Sequence, residues 1–152
     1  MLSPGNTAPH FNLPDQTGLK QDSKALKGKR YLVYFYPKDS TPGCTTQACG
    51  LQSDLEQFND LGIAVFGVSM DSVASHKKFA DKYGLKFPLL TDTEKSLIEA
   101  YGVWVEKSLY GKKYMGTERT TFVIDPKGNL KAIFPKVKPE EHFAQVLAAI
   151  AG

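Results

Sequence analysis

The chain has 152 residues, 41% of them hydrophobic and 23% charged, which is the composition of one folded domain, not of a disordered or membrane-embedded chain. Its formal charge of +3, from 19 basic and 16 acidic residues, is too small to argue for nucleic acid or an anionic membrane as a partner. Residues 1–20 contain Pro4, Pro9 and Pro14 without an apolar core segment, and the longest apolar-rich runs, Tyr31–Tyr36 and Ile63–Val68, are too short to span a bilayer. The expectation is a single domain over residues 1–152 with a cytoplasmic location.

In chain order, residues 5–29 are rich in turn formers, with Phe11 and Leu13 alternating with polar neighbours. This reads as a short N-terminal β-hairpin followed by a loop. Tyr31–Tyr36 is β-branched and aromatic throughout, as in a central strand buried on both faces, and Pro37 ends it. A loop over 38–43 leads to a helix from about Cys44 to Leu61, with Leu51, Leu55 and Phe58 at helical spacing. Ile63–Val68 is a second buried strand. Ser72–Tyr83 is helical, stopped by Gly84. Pro88–Leu90 reads as a short strand, and Thr93–Tyr101 as a helix ended by Gly102.

Thr120–Asp125 is a strand, residues 126–129 a hairpin turn and Leu130–Phe134 the partner strand. Pro139–Ala149 closes the chain as an amphipathic helix. Strands alternating with helices imply a parallel core sheet covered on both faces, and the closing hairpin adds antiparallel strands. The expected fold class is α/β, compatible with a thioredoxin-like arrangement: a central mixed β-sheet flanked by helices, with an N-terminal β-hairpin.

The two cysteines, Cys44 and Cys49, suggest redox catalysis or part of a metal site, against the alternative of two inert packed thiols. Cys44 falls at the start of a helix, where unpaired N–H groups and the positive dipole end favour the thiolate, the nucleophilic form. Thr41 can offer its hydroxyl to a substrate oxygen or to the sulfur, while Pro37 and Pro42 stiffen the loop and Pro37 can shield the thiolate. The alternative is that Thr41-Pro42-Gly43 merely starts and caps the helix.

The pattern Pro37-x-x-x-Thr41-x-x-Cys44 resembles the active-site signature of the peroxiredoxins. The longer string from Pro37 to Cys49 is similar to the bacterioferritin comigratory protein, or peroxiredoxin Q, subfamily. Ala8–Leu13 resembles the family's opening strand, Val68–Asp71 the end of its second β segment, and Tyr101–Lys107 and Arg119–Asp125 its later motifs, so the likeness covers nearly all of residues 3–150. Val105 departs from it, standing where a small residue is usual.

The resemblance implies a thiol-specific peroxidase, an atypical two-cysteine peroxiredoxin, that reduces hydrogen peroxide and organic hydroperoxides. Cys44 would be oxidised to a sulfenic acid and Cys49 would resolve it as an intramolecular disulfide. Pro37, Thr41, Gly43 and Arg119 would bind the substrate, with Arg119 supplying fixed positive charge at the sulfur. A thioredoxin or similar dithiol protein would be the reductant, and an internal resolving cysteine suggests a monomer.

Geometry adds a condition. Residues five apart in an α-helix have Cα atoms ~8 to 9 Å apart, whereas a disulfide needs them within about 7 Å. Disulfide formation would therefore require the first turns of the helix to unwind.

Two cysteines without a paired His motif fall short of a zinc site, and no Gly-rich phosphate loop marks a nucleotide site, so no cofactor is expected. His10, His76 and His142 read as surface or packing residues, Tyr101 and Trp104 as core or pocket-wall aromatics, and Lys112-Lys113 and residues 136–138 as solvated turns. The rival readings are a general disulfide exchanger, whose usual Cys-x-x-Cys spacing is shorter, and a redox sensor or binding module on the same fold.

Overall fold

The computed structural model describes residues 2–140 and 142–151. The chain opens with an antiparallel hairpin of β1 (Asn12–Pro14) and β2 (Lys20–Asp22). A 3-10 turn over Ser23–Leu26 follows, capped by the Asp22 side chain. Then come β3 (Arg30–Phe35), α1 (Pro42–Asp60), β4 (Ile63–Ser69), α2 (Val73–Tyr83), β5 (Leu89–Thr91) and α3 (Ser96–Ala100). A second hairpin, β6 (Trp104–Leu109) and β7 (Lys112–Thr117), precedes β8 (Thr120–Ile124), β9 (Leu130–Phe134) and α4 (His142–Ala151).

The central sheet has the order β5-β4-β3-β8-β9. The strands β3, β4 and β5 run parallel, and β8 and β9 join antiparallel at the other side. It is the expected mixed sheet. Its two faces follow from the period of two along β3. Leu32, Tyr34 and Tyr36 face a layer that contains Cys44, Leu51, Phe58, Phe79, Phe143 and Val146. Tyr31, Val33 and Phe35 face the other layer, with Phe11, Leu97, Tyr101 and Phe122. Gly67 on β4 is required by this packing: a Cβ there would lie 2.9 Å from ring atoms and the hydroxyl of Tyr34.

Several boundaries differ from expectation. α1 begins at Pro42, which places Cys44 inside the first turn. α3 is shorter than Thr93–Tyr101, because the Asp92 carboxylate accepts from the Ile98 amide at 2.8 Å and from Ser96 Oγ at 3.2 Å, holding a turn in place of a first helical turn. α2 matches, with the Ser72 hydroxyl capping its start and Gly84 in the left-handed conformation at φ 66° ending it. α4 starts at His142; Pro139 and Glu140 form a turn ahead of it.

The β6–β7 hairpin was not expected. Lys112 and Lys113 open a strand instead of forming a solvated turn, although both are exposed. The turn is Tyr110-Gly111, with φ of 52° and 77°, the two positive angles that match strand twist in a tight hairpin. Val105 pairs across the hairpin with Gly116, so the larger side chain faces a partner with none.

Candidate active site

β3 delivers the chain to a short loop, and the loop delivers it to α1. Pro37 and Lys38 are exposed, Asp39 is buried, and Ser40 adopts a left-handed φ of 63°. Thr41 is the N-cap residue of α1 in extended conformation, and its side chain makes no capping bond. Its hydroxyl instead donates back to the Lys38 carbonyl at 2.8 Å. The first helical bond runs from the Thr45 amide to the Thr41 carbonyl at 2.8 Å. The Gly43 and Cys44 amides thus belong to the first turn, whose N–H groups have no partner within the helix.

Cys44 is only 1% exposed and packs in the layer of Leu32, Tyr34 and Tyr36, while Cys49, further along α1, is half-buried. Both thiols are free. Arg119, just ahead of β8, reaches this turn across the fold. Its guanidinium donates to Gln47 Oε1 at 2.6 Å, and Nη2 lies 3.2 Å from the point a Gly43 Cβ would occupy. A side chain at residue 43 would crowd the arginine. The segment after β9 closes the rim: the Val137 amide donates to the Arg119 carbonyl at 3.0 Å, and Pro139 Cγ is 3.5 Å from the Gly43 Cβ position.

The electrostatics are those of a buried polar site. Burial, with the neighbouring Cys44 and Asp39, holds the Tyr34 hydroxyl well above its ordinary range. Burial and the Arg119 charge push Lys107 of β6 below the usual lysine range. Thr41, Gly43, Cys44 and Arg119 are thus brought together, and Pro37 sits exposed at the start of the loop. Trp104 packs against the second layer beneath Lys95, whose Nζ is 4.6 Å above its ring, and not in the layer that holds Cys44.

Two features went unrecognised in the sequence. Gln47, fully buried, accepts from Arg119; its place one turn beyond Cys44 on the same helix face is the signal that could have found it. His76 is no ordinary packing residue. It is fully buried and bonded on both ring nitrogens, 2.6 Å from Asp39 Oδ2 and 3.0 Å from the Leu90 carbonyl. Its position three and four residues before Phe79 and Ala80, both buried, marks the inward stripe of α2. His10 is exposed and bonds Asp22 at 2.7 Å; the side chain of His142 lies outside the described residues.

Asp39, Asp71 and His76 bring one possible ligand atom each within 4.8 Å of one another. Those atoms are already engaged with protein partners, Ser69, Ser75 and the Asp39 amide among them, which makes the group a hydrogen-bonded network and not an open cation site.

Residues 4–133 match the AhpC/TSA family. The chain is 47% identical over 146 residues to the putative peroxiredoxin Bcp of Coxiella burnetii, covering 96% of this chain and 97% of that protein. It is 43% identical to peroxiredoxin Bcp of Escherichia coli K12, covering 96% and 94%. Among solved structures, the bacterioferritin comigratory protein of Xanthomonas campestris superposes with a TM-score of 0.88 at 40% identity, over 93% of this chain and 90% of that one. A PrxQ mutant of Xylella fastidiosa superposes at 0.94 with 33% identity, over 99% and 96%. The chain belongs to the AhpC/TSA family and, within it, to the peroxiredoxins of the Bcp/PrxQ group, which are thiol-dependent peroxidases.

Proposed function

We propose that the single domain of residues 1–152 reduces hydrogen peroxide and organic hydroperoxides with Cys44 as the nucleophile. The observation that carries this reading is the Arg119 guanidinium held against Gly43 and Gln47 in the same helical turn as Cys44. The Cys44 thiolate attacks one peroxide oxygen. The O–O bond breaks, the sulfur becomes a sulfenic acid and the departing alkoxide takes up a proton to leave as alcohol or water. Arg119 and the Gly43 and Cys44 amides supply positive charge where the leaving oxygen becomes negative. Thr41 Oγ1, whose own hydrogen is committed to Lys38, is left to accept from the peroxide O–H.

Cys49 then displaces water from the sulfenic acid to form the Cys44–Cys49 disulfide, and a thioredoxin-type dithiol reduces it back to two thiols. The alkyl peroxide reduction activity of the Xanthomonas relative supports the substrate class. A cytoplasmic, monomeric enzyme fits an internal resolving cysteine; no helix among the described residues is long and apolar enough to cross a membrane.

Peroxide consumption with and without a thioredoxin system tests the reading. Cys44→Ser abolishes consumption with the fold intact. Cys49→Ser retains a single oxidation of Cys44 but loses thioredoxin-dependent turnover. Near-normal turnover by either variant overturns the corresponding role.

A further inference from the structure

We propose that Asp39, Asp71 and His76 form a latch that sets the orientation of the Thr41 hydroxyl, making them positioning residues for the peroxide step. The inference rests on the roles given above to Cys44 and Thr41.

One peptide unit links the latch to Thr41. The N–H of Asp39 and the C=O of Lys38 are the two ends of the same planar group and point in opposite directions. The N–H end donates to Asp71 Oδ2 at 2.8 Å. The C=O end accepts from Thr41 Oγ1 at 2.8 Å. Fixing the first end therefore fixes the second, and with it the direction in which the Thr41 oxygen presents its lone pairs.

Asp71 is itself held, since Ser69 Oγ at the end of β4 donates to the same Oδ2 at 2.6 Å. The Asp39 side chain provides the other half of the latch. Its Oδ1 accepts from the Tyr36 hydroxyl at 2.5 Å, and its Oδ2 from Ser75 Oγ at 2.9 Å. His76 Nδ1 lies 2.6 Å from Oδ2. His76 Nε2 lies 3.0 Å from the Leu90 carbonyl, so both ring nitrogens are held.

The loop is thereby tied to the ends of β3 and β4, to β5 and to the first turns of α2. The carboxylate also sits by the N-terminal turn of that helix, where negative charge is favoured. Buried side chains make the tie stiff: His76 is 0% and the Asp39 side chain 2% exposed. The left-handed φ of 63° at Ser40 is a conformation that a non-glycine residue keeps only where its surroundings impose it, and the latch on the preceding residue is such an imposition.

Two substitutions of one residue separate latch from packing. In His76→Asn the amide occupies the Nδ1 position and can still donate to Asp39; in His76→Gln it reaches the Nε2 position and bonds Leu90 alone. Both leave a cavity of similar kind. Stopped-flow peroxide reduction is measured for each in a Cys49→Ser background, where Cys44 is the sole thiol. His76→Gln slows the peroxide step by ~10- to 100-fold, the scale for a displaced reacting group, and His76→Asn is slowed much less. Ser75→Ala, a milder loss that keeps the fold, slows it by about threefold.

The decisive arm repeats His76→Gln and Ser75→Ala on Thr41→Val: their effects vanish there if the latch acts through the Thr41 hydroxyl. A Thr41→Val that is itself impaired, with the latch losses adding to it in full, overturns the latch and leaves the Thr41 role standing. A Thr41→Val as fast as the parent overturns both, while the roles of Cys44 and Arg119 remain subject to their own tests.

Discussion

Oxidation is expected to open the start of α1, and the structure sets how far. Cys44 and Cys49 lie on one continuous helix, where five residues correspond to about 7.5 Å of rise and ~140° of rotation, or ~8.7 Å between Cα atoms. A disulfide requires about 7 Å or less, so the turns carrying both cysteines must leave helical geometry. The opening has a stop: Leu51 and Phe58 are 0% exposed and Leu55 9%, all in the same core layer.

In the reduced protein, opening these turns breaks the Arg119–Gln47 bond, a charge-assisted contact contributing about 2 kcal/mol. With 1.4 kcal/mol to each factor of ten, that bond alone protects the segment by ~30-fold. Amide hydrogen exchange compared between reduced and disulfide forms should therefore show Thr45 to Cys49 exchanging at least ~30-fold faster after oxidation. Leu55 to Phe58 should be unchanged, and dithiol reduction should restore protection. Equal protection of Thr45 to Cys49 in the two forms would mean that these turns stay helical on oxidation, and would move the disulfide or the resolving step elsewhere.

Arg119→Ala should slow the peroxide step by about 10²- to 10³-fold, the loss typical of one donor to a developing oxyanion. Arg119→Lys should recover only part, because an ammonium cannot span Gln47 and the substrate as a planar fork does; stopped-flow peroxide reduction measures both. Gly67→Ala should lower stability by about 1–3 kcal/mol in urea denaturation, since its Cβ meets the buried Tyr34 ring; an unchanged midpoint would mean that the ring moves freely. Stability should also fall with rising pH above about 10, where tyrosines ionise in the unfolded chain. Burial raises Tyr34, Tyr36 and Tyr101 in the folded state, so there the native state binds more protons than the unfolded one. The sign is a loss of about 1.4 kcal/mol per tyrosine per pH unit. Lys107, shifted downward, works weakly in the opposite sense, and a flat urea midpoint between pH 9 and 11 would contradict the account.

Much of the fold is legible in local pattern. Tyr31–Tyr36 is apolar on both alternating faces, so it had to be a central strand; Leu51, Leu55 and Phe58 repeat at helical spacing; Pro37 to Cys49 spells the motif with both thiols. The second hairpin escaped because its signals were weak. Its strands are largely exposed, so no alternation toward a core marks them, and Tyr110-Gly111 is a less marked turn pair than Asn-Gly.

The side-chain partners within the site come from long-range packing. Arg119 meets Gln47 across 72 positions of chain, and Asp39 meets His76 across 37. No local pattern encodes such pairs. They exist because β3, β4 and β8 are neighbours in one sheet, which sets the loop after β3 beside the starts of α2 and β8. A lone histidine on a helix looks the same in sequence whether it faces water or a buried carboxyl; the packing of α2 onto the sheet is what shuts water out and leaves Asp39 and the Leu90 carbonyl as its partners.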